Sequence, residues 1–528
     1  MSRYPVAPSP RVAEGWTLER LTPPSRLFGA NGLRTGPDGR LYVAQVSGSQ
    51  ISAIDIHSGV IETISPKGGD IVAPDDLVFD DAGHLYATEI TEGRVSVRAP
   101  NGSTRVLSAE VPVANPITFH QGRLFVGECR PNGRILELDR NDGRARIIAS
   151  DVPMPNAFSV GPDGKLYFPV MGANEIWRVS LDGGAPEKVA GDLGVPDAVK
   201  FDAQGFIVST QVASGQVLRI DPRSGERTVL AQLMPGLDNL SFVGERLFVS
   251  NISGTVVELL KDGTIRDVVA NGLNWPLGLA VDDDGSIYVA DGPFSWTLRP
   301  DGRRDVAGLL FAPGYPGYAR GVAACGGGEF LVTTANGAVA RYRPAQRWSE
   351  EIASGFDQLY GIAVAPGGAA VFAELGGGRV LSAAKCTVET LASGLPQPSG
   401  VAVDADGTVY VSESGGGRVV RLSRGKAETV IDGLRQPQGL LLRDGALFVV
   451  DAGSQELIRF DLTRRTRLVL ASGLAVGAPP GVVPKPLAAI GVLSGPMGPF
   501  AGLAAAADGT LYLSADAEGS VMALRPMR

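Results

Sequence analysis

The 528-residue chain reads as an all-β protein, two six-bladed β-propellers in tandem built from twelve four-stranded blades. Three observations predict it. Seventy glycines, 37 prolines and few helical runs describe many short strands joined by tight turns. A unit close to x-G-L-x-x-x-x-D-G-x-L-Y-V recurs, as in NGLRTGPDGRLYVAQ from Asn31, LGLAVDDDGSIYVAD from Leu277 and SGVAVDADGTVYVSE from Ser399. Its second-strand anchors are Tyr42, Tyr86, Phe125, Tyr167, Val208 and Phe248, then Tyr288, Leu331, Val371, Tyr410, Phe448 and Tyr512; ten of their eleven intervals lie between 38 and 44 residues. That is the period of a propeller blade, and since one ring typically holds about 4 to 8 blades, twelve divide best into two rings of six.

Residues 1–15 form a tail, 16–262 the first propeller and 263–528 the second. The last blade stops after its third strand, while WTLERL at 16–21 and TIRDVVA at 264–270 are strands left over. If each closes the ring that follows it, WTLERL completes blade six and TIRDVVA blade twelve, leaving no open edge. The single long interval contains an apolar insertion, 472–499, whose only charge is Lys485. Placed before an innermost strand, it is expected on the functional face, as a lid, an interface segment or a mobile loop.

Ten or eleven residues before each anchor, the first half carries Asn31, Asp75, Asn115, Asn156, Asp197 and Asp238. The second half has Leu277, Arg320, Tyr360, Ser399, Gln438 and Ala501 there, with no shared chemistry. The position begins the innermost strand, so six side chains converge at the channel mouth. Asn and Asp also favour turns for local reasons, which would be indifferent to any ligand. Their restriction to one half points instead to a hard divalent cation, Ca²⁺ first, then Mn²⁺, Mg²⁺ or Zn²⁺, which takes mixed carboxylate and carbonyl oxygens.

Loops after the second strands share that mouth and bring Glu89, Glu128 and Arg130, with Glu128-Cys129-Arg130 the most reactive-looking triplet and a solvated turn its plain alternative. His57, His84 and His120 fall in turns at the opposite end, which disfavours histidine base chemistry, copper or iron sites and a Ser-His-Asp triad at the mouth. A net charge of -8 gives no footprint for nucleic acid or an acidic membrane. Cys129, Cys325 and Cys386 are too scattered for a disulfide framework or zinc cluster. With no signal-like apolar segment at the N-terminus and no membrane-length apolar run, a cytoplasmic protein is expected.

With ANPITF around Asn115, PNAFSV around Asn156 and VPDAVKF around Asp197 in this order, the first half resembles the gluconolactonase, regucalcin and luciferin-regenerating family, also known for senescence marker protein. The second half looks like generic NHL-type repeats. The resemblance implies a divalent metal held by Asn156 and Asp197, with Asn31, Asp75 and Asp238 to complete the shell, although Asn31 stands where the family has a Glu. It further implies lactone hydrolysis, with Asn115 orienting the substrate and Asp197 activating water; Glu128 is a second candidate catalytic residue, Glu89 and Arg130 candidate substrate contacts. Other readings stay open: an isomerase, lyase or carbon–carbon bond hydrolase on the same platform, a non-catalytic binding protein with a structural ion, or a working site in the second ring using Arg320, Tyr360, Trp275 and Tyr318.

Overall fold

The computed structural model describes residues 3–4, 9–270, 272–384, 387–423 and 425–527; Cys386 lies outside them. Among the described residues there are twelve antiparallel sheets of four or five strands, and all twelve predicted anchors sit in the second strand of a sheet. Two compact units result. The first is Leu27–Asn271 with Val483–Val492, and the second is Met1–Arg26 with Gly272–Val482 and Leu493–Arg528.

In the first unit every blade is made of four consecutive strands, running from Leu33–Thr35 to Ile61–Ser65 in blade one and from Leu237–Val243 to Ile265–Val269 in blade six. A blade buries its two faces only against its neighbours. Val78, Tyr86 and Val97 of blade two thus pack with Ile117, Leu124 and Leu136 of blade three. The ring closes in the same way: Leu33, Leu41 and Val43 of blade one join Phe248, Val256 and Val269 of blade six in one cluster. Polar bonds reinforce that seam, since Thr35 Oγ1 donates to the Phe242 carbonyl at 2.7 Å.

The strand pairing at the ends corrects the expectation. Ile265–Val269 is the fourth strand of blade six, beside Val256–Leu259, whereas Trp16–Arg20 pairs with Ser520–Pro526 and completes blade twelve. A short hairpin decides it. Gly263 takes a left-handed φ of 82°, the Leu260 N–H donates to the Thr264 carbonyl at 2.8 Å, and Asp262 accepts from the Thr264 N–H at 3.0 Å. So short a loop closes with little loss of chain entropy, which favours local pairing over recruitment of a strand more than two hundred residues away. The free edge of blade twelve is then left for Trp16–Arg20, and Arg11–Val12 extends blade eleven as a fifth strand.

Among the described residues the helical segments are single 3-10 turns, Met171–Ala173 and Pro344–Gln346, and no helix is long and apolar enough to cross a membrane. In the second unit the insertion's end fills the channel mouth. The Arg320 guanidinium lies 4.2 Å from the Tyr360 ring centre and donates to the Gly498 carbonyl at 2.5 Å, while Phe500 meets Tyr360 edge-on at 5.8 Å. Arg320 and Tyr360 thus act there as a packed plug.

Candidate active site at the mouth of the first propeller

The six Asn and Asp residues occupy equivalent places at the head of the innermost strands. Five are nearly buried, and Asn31 is half-buried. Hydroxyls near the ends of the second strands fix the backbone here: Thr88 Oγ1 donates to the Asn115 carbonyl, Thr210 Oγ1 to that of Asp238 and Ser250 Oγ to that of Asn31, at 2.5–2.8 Å. Neighbouring side chains pair around the ring. Asn31 Nδ2 donates to Asp238 Oδ2 and Asn156 Nδ2 to Asp197 Oδ2, both at 3.1 Å. Asp75 has no hydrogen-bond partner for its carboxylate among the described residues, and the Asn115 side chain lies beside the Cys129 thiol.

The electrostatics are those of an unbalanced acidic cluster. Burial, then the nearby charge of Asp76, pushes the Asp75 carboxyl up to about 8. Burial, then repulsion from Asp75, raises Asp197 well above the carboxylate range; burial, then Asp197 and Asp75, does the same to Asp238. Two cations lie deeper. Arg34 donates to the carbonyls of Leu77 and Ile117 at 3.0 and 2.9 Å and stands 3.6 Å from Asp76, while Lys200 Nζ donates to the Phe158 carbonyl at 3.2 Å. Burial, then Arg34, lowers the Lys200 ammonium to about 7, so it is a poor counter-charge for the ring above. Asp76, Arg34 and Lys200 escaped the sequence reading, because a charged residue inside an alternating strand looks like a solvent-facing one.

The donor set suits a hard divalent cation: three carboxylates driven upward by burial and by one another's or Asp76's charge, interleaved with amide carbonyls. Among the described residues no group of three His, Cys, Asp or Glu side chains is gathered as a ready-made metal shell.

Glu128, Glu89 and Arg130 have another occupation. Glu128 is fully buried and accepts from Arg130 Nε and Nη2 at 3.1 and 2.7 Å, from the Arg134 N–H and Nε at 3.1 and 2.9 Å, and from Arg134 Nη2. Burial pushes its carboxyl up, but the Arg134 and Arg130 bonds outweigh this and hold it below its ordinary value. Glu89, also fully buried, takes the Val72 N–H and Arg94 Nη2, both at 2.7 Å, and the Ser96 hydroxyl. Glu128 has no lone pair to spare for a reacting water, and Glu89 has both oxygens engaged and is fully buried. The same strand-end position ties down the incoming loop elsewhere: Gln45 accepts from the Phe28 N–H, Gln211 from Gly194, and in the second unit Asp291 accepts from Asn274 and Trp275 and Glu374 from Asp357. It belongs to the scaffold of both rings. Replacing Glu128 by Gln is accordingly expected to lower stability by about 2–4 kcal/mol in chemical denaturation, since two half-buried arginines lose their acceptor. Turnover at the ring should change less than about threefold, general-base loss being worth far more.

His57 lies in a turn, His84 directly precedes the second strand of blade two and His120 ends the first strand of blade three, all at the strand ends away from the Asn and Asp residues; His84 Nδ1 is 3.1 Å from Asp80. The mouth carries a second, strained ring. Two residues before each Asn or Asp, the backbone is left-handed in all six blades, at Gly29, Ala73, Val113, Met154, Val195 and Gly236, with φ between 46° and 101°. For the β-branched Val113 and Val195 this is a rare conformation, held by the carbonyl of each accepting a neighbouring strand-end N–H: Cys129 to Val113 at 2.9 Å and Val212 to Val195 at 2.8 Å.

Residues 29–252 match the family model described as SMP-30/Gluconolactonase/LRE-like region, from the start of blade one to the end of the second strand of blade six. The first unit is an SMP-30/gluconolactonase-like propeller. NHL repeat models match 273–296 and 395–422 in the second. The chain is 28% identical to a gluconolactonase of Zymomonas mobilis over 246 residues, 42% of this chain and 60% of that protein. It is 26% identical to a 6-deoxy-6-sulfogluconolactonase of Pseudomonas putida over 204 residues, 34% of this chain and 67% of that one. A streptogramin B lyase structure aligns with 53% of this chain and 97% of its own at 18% identity, with a TM-score of 0.39, a likeness that carries no chemistry. The gluconolactonase-like propeller holds all six ring residues within the matched span, Asn31 to Asp238.

Proposed function

We propose that the SMP-30/gluconolactonase-like propeller opens a cyclic ester at its Asn/Asp ring, with a divalent cation, Ca²⁺ first, as resident cofactor. The observation that carries the reading is the trio Asp75, Asp197 and Asp238: buried, mutually repelling, and set in the ring with no ion pair to a side-chain cation among the described residues. Carboxylates are not buried at this density without either protonation or a cation. The two lactonase relatives support the substrate class. Asn31, Asp75, Asn156, Asp197 and Asp238 would hold the ion, which when bound supplies Lewis acidity toward the ester carbonyl.

The residues themselves do the rest. Asn156 fixes one oxygen of Asp197 through its amide N–H and turns its own carbonyl to the Ala157 N–H at 2.8 Å. Asp197 keeps its second oxygen for a water proton; the resulting hydroxide adds to the carbonyl carbon, the ring C–O bond breaks, and the alkoxide oxygen takes up a proton to give a hydroxy acid. Asn115 faces the same space and orients the lactone. Burial of the neighbouring Cys129 thiol, then the charges of Asp75 and Asp197, push its pKa up and keep it neutral beside the carboxylates.

The test is elemental analysis of the purified chain before and after dialysis against chelator, followed by a panel of lactones assayed with Ca²⁺, Mn²⁺ or Zn²⁺ restored. Retained metal near one equivalent and turnover that vanishes on chelation are expected. No bound metal after dialysis against all three ions would sink the proposal.

A further inference from the structure

The ring lies beneath a collar with no polar side chain in it. The residue following each second strand is Val46, Ile90, Cys129, Met171, Val212 and Ile252 in the six blades of the first unit. In five blades its N–H bonds the carbonyl of the left-handed residue described above, 2.8–3.2 Å away, so the two apolar residues of a blade stand side by side. Cys129, Met171 and Val212 form one hydrophobic cluster with Val113, Met154 and Val195. These six come from three successive blades and can meet only toward the axis. Cys129 lies beside Asn115 and within reach of the charges of Asp75, Asp197 and Asp238, which puts the cluster directly on the ring.

The scaffold does not demand this. The second unit has the same backbone bonds, from Ala335 to Tyr318, Leu375 to Gln358, Ser414 to Gln397 and Ala452 to Gln436, yet fills the positions with three glutamines and a serine among others. Val113 and Val195 even retain β-branched side chains at φ 52° and 63°, where Asn or Gly would relieve strain. A strap continues the apolar surface. In Val483–Val492 the one charge is Lys485; its Val483 carbonyl abuts the loop at Gly68, and Gly491 lies against Val113, where an added β-carbon would stand 3.4 Å from Cγ2.

We infer that the substrate carries an apolar arm beside its ester, an alkyl- or aryl-substituted lactone in place of a polyhydroxylated one, with the collar of blades three to five and the strap as its binding surface. The inference rests on the ring being the reaction site. Hydroxyls of a sugar lactone would find no partner in the collar and would lose their water there, while each buried methylene of an alkyl arm gains about 0.8 kcal/mol.

Two probes separate specificity from reaction: a heptyl-substituted δ-lactam and a polyhydroxylated δ-lactam, neither of which hydrolyses readily, titrated calorimetrically into the full Ca²⁺-loaded chain. The heptyl lactam should bind at least about tenfold tighter. In a Val113→Asn/Val195→Asn variant, whose new residues suit the left-handed backbone, the preference should shrink to less than about threefold. Met171→Gln should shrink it in the same direction. Equal or tighter binding of the polyhydroxylated lactam, binding of neither, or an unchanged preference in a folded double variant overturns the inference. The corresponding lactones are assayed alongside. If the heptyl lactam binds by preference but no lactone is opened, the hydrolase reading falls and the specificity stands; faster opening of the polyhydroxylated lactone overturns the specificity and leaves the hydrolase.

Discussion

An Asp197→Asn variant is expected to lose about 10²–10⁴-fold in kcat/KM on any lactone the wild type opens, with a melting temperature for the metal-free chain that is unchanged or higher. Asparagine keeps the shape and can still meet the Asn156 amide through its carbonyl, so the ring geometry survives. What would disappear is the proposed proton acceptor and one proposed carboxylate ligand. Asp75→Asn and Asp238→Asn should weaken metal retention as well, but retain more turnover when the metal is in excess. The comparison of kcat at saturating metal identifies the base: if Asp75→Asn is the variant that stays inactive and Asp197→Asn recovers, the roles are exchanged. The same pattern would leave the ring itself in place.

The second large effect is on stability, and its sign is set by the three raised carboxyls. A carboxyl whose folded pKa lies above the unfolded value of about 4 makes the native state bind more protons than the unfolded state between those values. Native stability is therefore fully present below about pH 4 and is lost as pH rises through the folded pKa, about 8 for Asp75. Metal-free protein should melt at a temperature that falls by more than about 5 °C between pH 5 and 8. Lys200 has the opposite sign: its ammonium, lowered to about 7, returns stability only between there and its unfolded value near 10.5. Saturating Ca²⁺ should flatten the fall if, as proposed, the ionised native ring binds the cation and the unfolded chain does not. Asp75→Asn should flatten it without metal. A melting temperature that is level from pH 5 to 8 in chelator, as judged by calorimetry, would mean that the three carboxylates are not strained in the folded chain.

The fold class was open in the sequence because a blade repeats one pattern, and Tyr42 or Tyr410 marks the same buried strand position wherever the pattern occurs. Ring closure was harder. WTLERL and TIRDVVA are both alternating edge strands, and only the turn at Asp262 and Gly263 separates a local partner from a distant one. The six Asn and Asp residues stood out as polar interruptions of an apolar pattern. The collar did not, since Ile90 or Val212 after a strand reads as more strand, and the left-handed φ at Val113 and Val195 leaves no trace in residue type. Glu128 misled for a related reason: exposed and saturated carboxylates look alike until Arg130 and Arg134 are seen to share it.

The strand at Trp16–Arg20, paired with Ser520–Pro526, sets an order of events during synthesis. All six blades of the first ring have emerged once Ile265–Val269 is made, so that ring can assemble while the ribosome is still far from the C-terminus. The second ring must keep its opening strand waiting until Ser520–Pro526 appears. The strap at Val483–Val492 also arrives late, some two hundred residues after the body it belongs to. During translation, then, the acidic ring exists first without its strap, and its carboxylates meet solvent and any available cation before that edge of the mouth is covered.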